Sequence, residues 1–148
     1  MDAQQRVASV EAPFVSRGDD SGTHKAELGI WAQTGLDVGA FGAWYRPVGA
    51  GMGAALNTAA AMEAYILSDR ASWLNFGNKA GLSLLFSGDP VLFNQYAYLP
   101  VDPSKNANVR NDLAMALEVW LTSPRAADLI NGYAINGETL FVFNAEPE

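Results

Sequence analysis

Two hydrophobic rhythms alternate along the chain. Pro13-Phe14-Val15-Ser16 is a short apolar run that reads as a buried strand. From Ser21 to Gln33 the spacing turns helical, with Leu28, Trp31 and Ala32 on one face and Gly35 closing the helix. Residues 36–49 are a Gly-rich aromatic connection holding Trp44, Tyr45 and Arg46. Gly51-Met52-Gly53 opens an Ala-rich helix through about Met62. Tyr65-Ile66-Leu67 reads as a strand, and Asp69 to about Asn75 as a short helix. Leu82–Phe86 and Phe93–Leu99 read as two more strands. After Asp102-Pro103 comes a long helix whose stripe is Val109, Leu113, Ala116, Leu117, Trp120 and Leu121. Ser123 then caps a further helix with Pro124 at its first position, and Gly132 suits its end. A strand from Thr139 to Phe143 precedes an acidic tail, and residues 1–11 form a polar lead-in. This alternation of elements predicts an α/β fold.

Composition narrows the function classes. The 148 residues are 49% hydrophobic and 17% charged, which is a globular composition and not a disordered one. No apolar run approaches the roughly 20 residues that cross a bilayer, so no membrane span is expected. Met1 to Arg6 is polar and no apolar core follows, so no signal peptide is expected in this chain. The absence of cysteine excludes disulfides and thiolate chemistry. One histidine without cysteine argues against zinc, and no cofactor is expected. The net charge is −7 and the nine basic residues are scattered, which argues against nucleic acid.

The chemistry concentrates in Ser16-Arg17-Gly18-Asp19-Asp20-Ser21-Gly22-Thr23-His24-Lys25. A strand ends here and a helix begins. The first N–H groups of a helix lack internal partners and carry partial positive charge. With hydroxyls from Ser21 and Thr23 and the fork of Arg17, this start is suited to an oxyanion. The plain alternative is a well-capped helix after a strand. Other readings are Arg17-Gly18-Asp19 as an adhesion tripeptide, Asp19 and Asp20 as metal ligands, and Ser21 with His24 as a hydrolase pair. The last puts nucleophile and base on the same turn, with no third group to orient them.

Gly49-Ala50-Gly51-Met52-Gly53-Ala54 matches the dinucleotide pattern G-x-G-x-x-A, but Pro47 interrupts the strand it requires, and no acidic residue at the right distance ends a second strand. It reads better as a second helix start with bare N–H groups, beside Arg46.

The first motif, Phe14 to Lys25, is very similar to the signature of tungstate-binding periplasmic proteins of ABC importers. Further similarities follow in order: Trp44-Tyr45-Arg46, Gly49 to Asn57, Ala64-Tyr65 with Asp69-Arg70, Leu92-Phe93-Asn94 with Tyr96, Trp120 to Pro124, and Gly137-Glu138 with Leu140-Phe141. The resemblance runs from about Ala12 to the end. It implies a type II periplasmic-binding lobe, with a mixed sheet flanked by helices, plus C-terminal helices. The boundaries implied are a lead-in at 1–11, an oxyanion-binding lobe at 12–95 and a return segment at 96–148. It assigns the ligand to Arg17, Ser21, Gly22, Thr23, Arg46, Gly51, Met52 and Gly53, with Arg70 a further candidate.

The implied ligand is tungstate or a molybdate-like oxyanion, the implied partner is an ABC permease, and the implied location of this chain is periplasmic or extracytoplasmic. Ala50, Gln95 and Ala71-Ser72 depart from the family pattern, and the family's first lobe is missing. The uncovered stripe on residues 109–121 therefore calls for a homodimer or a separate chain carrying that lobe. A module that keeps the fold without the ligand is the alternative. The reading is a binding protein, not an enzyme.

Overall fold

The computed structural model describes residues 2–145. The chain forms two compact units, Met1–Asn94 and Gln95–Glu148.

The first unit is built on three parallel strands, β1 (Phe14–Ser16), β2 (Tyr45–Pro47) and β3 (Tyr65–Ile66), in the order β2-β1-β3. Around them lie α1 (Asp2–Ser9), α2 (Gly22–Gln33), α3 (Met52–Met62) and α4 (Arg70–Asn75). Successive side chains of a strand face opposite ways, and the core follows that rule. Val15 packs with Met52, Ala55, Leu56 and Ala59 of α3. Phe14 packs on the other side with Trp31 of α2 and Val7 of α1. The central strand is thus buried on both faces, as a parallel sheet requires. Alanines let α3 approach the sheet closely. Phe14 also stacks on Tyr45, with centroids 5.9 Å apart, and meets Trp31 edge-on at 5.2 Å.

Four expectations change here. Residues 2–9 are helical and not a loose lead-in, because Val7 buries against Phe14 and Trp31. The inner face of α2 is Glu27, Ile30 and Trp31; Leu28 is half-buried and Ala32 exposed. A glutamate inside the stripe disguised the face. Residues 45–47 form a strand that includes Pro47, which an edge strand tolerates because one side of it is unpaired. The strands expected at 82–86 and 93–99 do not form; this region holds only a 3-10 turn at Pro90–Leu92. A strand must find a neighbour for its N–H and C=O groups, and Leu84, Leu85, Phe86 and Phe93 stand exposed instead.

The second unit holds α5 (Asn111–Leu121), α6 (Pro124–Gly132) and the antiparallel hairpin β4 (Ala134–Ile135) and β5 (Glu138–Thr139). The Ser123 hydroxyl accepts from Ala126 N, with Pro124 next in the first turn. Asn136 and Gly137 turn the hairpin with φ of 53° and 83°, the left-handed pair that a two-residue turn favours. The last expected strand, Thr139 to Phe143, begins one residue early and stops at Thr139. The α5 stripe is open: Leu113, Leu117 and Trp120 are 57%, 45% and 43% exposed. The expected acidic tail lies mostly outside the described residues.

Candidate functional site

Strand β1 leads to α2 on one face of the sheet, and its neighbour β2 leads to α3 on the other. Where adjacent parallel strands send their helices to opposite faces, a crevice opens at their C-terminal ends. The two stretches singled out in the sequence are the loops at that edge.

The loops are sewn together by backbone. Val48 N donates to Ser16 O at 3.0 Å, and Gly49 N and Ala50 N both donate to Arg17 O, at 3.0 and 3.3 Å. Gly18 makes this approach feasible. Its φ is +64°, and a Cβ there would lie 2.8 Å from Pro47 Cβ and 3.2 Å from Gly49 N.

Within the first loop, Arg17 Nε donates to Asp19 Oδ2 at 2.8 Å, and Asp19 Oδ1 accepts from Ser21 N at 3.2 Å. Asp19 therefore ties the guanidinium to the start of α2. The Ser21 side chain above all, then its backbone N–H and Arg17, hold the Asp19 carboxyl below its ordinary range. Only Nε takes part in the Arg17 bond, so the terminal guanidinium nitrogens are not committed to it. Ser21 is the N-cap, and its Oγ accepts from His24 N at 3.3 Å. The same side chain also engages the Asp19 carboxyl. Helix geometry leaves Gly22 N and Thr23 N without partners inside the helix.

His24 Nδ1 accepts from Asp20 N at 3.0 Å. It is turned to its own loop and is not poised to take a proton from Ser21. The Arg17–Asp19 pair also closes the tripeptide on itself, which removes the extended form that adhesion requires. Lys25 reaches Asp20 at 3.5 Å, an exposed pair of little energetic weight. Among the described residues no group of three or more His, Cys, Asp or Glu is placed to hold a metal.

In the second loop Gly51 is the N-cap of α3 and offers no side-chain cap. The N–H groups of Met52 and Gly53 belong to a bare first turn. The Met52 side chain is buried in the core, so its backbone is what faces the edge. Arg46 pairs in register with Val15, is exposed, and forms no ion pair among the described residues. The strand and helix that the dinucleotide pattern needs do flank Gly49–Ala54, but Asp69, beyond β3, accepts from Ser72 N at 2.9 Å and caps α4. Arg70 stands on the first turn of α4 and is engaged in an interaction of its own. A groove of about 320 Å³, lined by Gln5, Ala8, Ser9, Thr34 and Leu36, lies at the other end of α2 and shares no residue with these loops.

Beneath the loops lies a group the pattern of the sequence did not single out. Glu27 is only 3% exposed, and its Oε1 accepts from Tyr45 OH at 2.7 Å and Trp31 Nε1 at 3.2 Å. Burial pushes the Glu27 carboxyl up against the opposing pull of these donors, and burial likewise pushes up the Tyr45 hydroxyl. Ser16 Oγ is fully buried beside this pair. The signal in the sequence was a glutamate four residues before a tryptophan on the inner side of a helix.

Known proteins share this architecture. The tungstate-binding protein TupA of Peptoclostridium acidaminophilum is 40% identical over 145 residues, covering 97% of this chain and 50% of that protein. The solved structure of the tungstate-binding protein TupA of Desulfovibrio alaskensis matches with a TM-score of 0.84 and 37% identity, over 98% of this chain and 60% of that one. The tungstate ABC transporter structure from Geobacter sulfurreducens gives 0.75 and 41%, over 88% and 55%. The chain spans about half the length of the curated relatives it matches. The model of the PBP superfamily domain matches residues 3–125, and the chain belongs to that superfamily.

Proposed function

We propose that this chain is the oxyanion-binding lobe of a substrate-binding component of an ABC importer, and that its ligand is tungstate or a similar tetrahedral oxyanion. The observation that carries the reading is the pair of helix starts, sewn side by side at the C-terminal ends of β1 and β2, with Arg17 oriented by Asp19. The donors assigned are the Arg17 guanidinium, the Ser21 and Thr23 hydroxyls, and the backbone N–H groups of Gly22, Thr23, Met52 and Gly53. Arg46 supplies longer-range charge. The named ligands of the similar proteins support tungstate as the anion. The net charge of −7 opposes this weakly, because charges beyond about 8–10 Å are screened at physiological salt.

An importer component of this kind works outside the cytoplasm, beside its permease. The relatives are about twice as long, and the family resemblance implies a further lobe across the ligand, so affinity in the present chain alone is expected to be weak. The open stripe of Leu113, Leu117 and Trp120 favours association with a second copy, since apolar area left in water forfeits roughly 25 cal/mol per Å². Light scattering at micromolar concentration checks the dimer, which a monomer mass refutes.

Calorimetry with tungstate, sulfate and the Arg17→Ala variant tests the ligand. Tungstate is expected to bind more tightly than sulfate. Loss of one charged hydrogen-bonding group is expected to remove about 1.5–3 kcal/mol. Equal binding of sulfate contradicts the tungstate preference, and unchanged affinity in the variant removes Arg17 from the site.

A further inference from the structure

We propose that Glu27 is a positioning residue of the anion site, a buried tie that fixes the spacing of the two loops from beneath. The inference rests on the anion-site reading above. The two halves of that site hang on different elements, α2 and the β2–α3 segment. Above, backbone bonds from Gly49 N and Ala50 N to Arg17 O join them. Below, a single oxygen, Glu27 Oε1, joins them again: it accepts from Tyr45 OH on β2 and from Trp31 Nε1 on α2.

Glu27 lies four residues past Thr23, about one helical turn below the start of α2. Tyr45 immediately precedes Arg46, and five residues separate it from the cap of α3 at Gly51. A change in the tie therefore moves both loops by a short lever. A carboxyl only 3% exposed would be an unfavourable choice for packing alone, since an aliphatic side chain would fill the space without desolvating an acid. What an aliphatic cannot do is hold two donors from two elements on one atom.

The test uses Tyr45→Phe, Glu27→Gln and Glu27→Ala in the full chain, with amide hydrogen exchange read without ligand and tungstate titration read beside it. Tyr45→Phe removes one donor and keeps the ring that stacks on Phe14. It is expected to speed exchange at Gly49 and Ala50 about tenfold, while Tyr65 N, bonded to Pro13 O at 2.8 Å on the far side of the sheet, is unchanged. Glu27→Gln keeps an acceptor oxygen for both donors and is expected to restore slow exchange; Glu27→Ala is expected to exceed Tyr45→Phe.

Acceleration spread evenly over Gly49, Ala50 and Tyr65 assigns Glu27 to global stability and overturns the inference. So does unchanged exchange in Tyr45→Phe, even if Glu27→Ala fails to fold. Absence of tungstate binding in the parent chain counts against the ligand reading alone, because the exchange measurement needs no ligand. Binding that is present in the parent and equal in Tyr45→Phe overturns the tie as a determinant of affinity.

Discussion

Residues 7–66 and residues 82–145 are both rich in large apolar side chains, and they use them in opposite ways. The first stretch closes them around one strand: Val15, Trp31 and Leu56 are at most 1% exposed. The second leaves Leu85, Phe93, Leu99 and Val119 at 69% or more. The difference lies in what the neighbouring sequence supplies. Around β1, each apolar face has a complementary helix within the next forty or so residues, and α3 is slim enough to sit close. Around α5, the described residues of its unit offer α6 and a two-stranded hairpin, too little surface to cover a stripe of Leu113, Leu117 and Trp120. Where the chain carries its own cover, it also holds two helix-start loops side by side.

Core truncation gives the largest contrast. Leu56→Ala, in the tight seam of α3, is expected to cost about 2–5 kcal/mol. Leu117→Ala, at 45% exposure, is expected to stay within about 0.5 kcal/mol in the isolated chain. Urea unfolding of the two variants measures both. Equal losses would break the comparison and show the stripe to be covered.

Next is the seam between the loops. Gly18→Ala meets a positive φ and a 2.8 Å approach to Pro47 together, and is expected to destabilise by about 1–3 kcal/mol while weakening anion binding. Gly22→Ala, with nothing within 4 Å of its added Cβ, serves as the control. Thermal melting of both variants decides; equal Tm values would deny that the close approach matters.

The smallest effects are in pH. Glu27 has its carboxyl raised by burial, so the native state holds that proton more tightly than the unfolded chain. Its contribution is full below the ordinary value of 4.5 and is lost as pH climbs through the raised native value. Glu27→Gln is expected to flatten stability in that window. Asp19 runs the other way. Its lowered carboxyl stabilises above the ordinary 3.8 and the contribution fades as pH falls through the native value. Melting curves from pH 3 to 8 show whether the Glu27→Gln difference grows with pH; a difference independent of pH contradicts the raised carboxyl.

Local chemistry was legible in the sequence wherever one residue type carries its own geometry. Ser21, Asp69 and Ser123 mark helix starts that the structure places within a residue, each with its side chain accepting from the helix. Gly51 likewise marks α3. What depended on distant partners was not legible. The apolar runs at 82–86 and 93–99 have strand composition but no strand to pair with. β2 exists because β1 pairs with it, although Pro47 speaks against a strand locally. Glu27 read as a polar position on a helix, and only the fold brings Tyr45 to it from eighteen residues away.

The central claim is that two sewn helix starts form one anion site. Amide chemical shifts recorded during a tungstate titration test it most directly, because they report position even when affinity is weak. The account predicts shifts that saturate together at Gly22, Thr23, Met52 and Gly53, with Tyr65 and the Ala126 turn of α6 still. Shifts confined to one of the two helix starts, or centred on the groove of Gln5, Ala8 and Thr34, would contradict it.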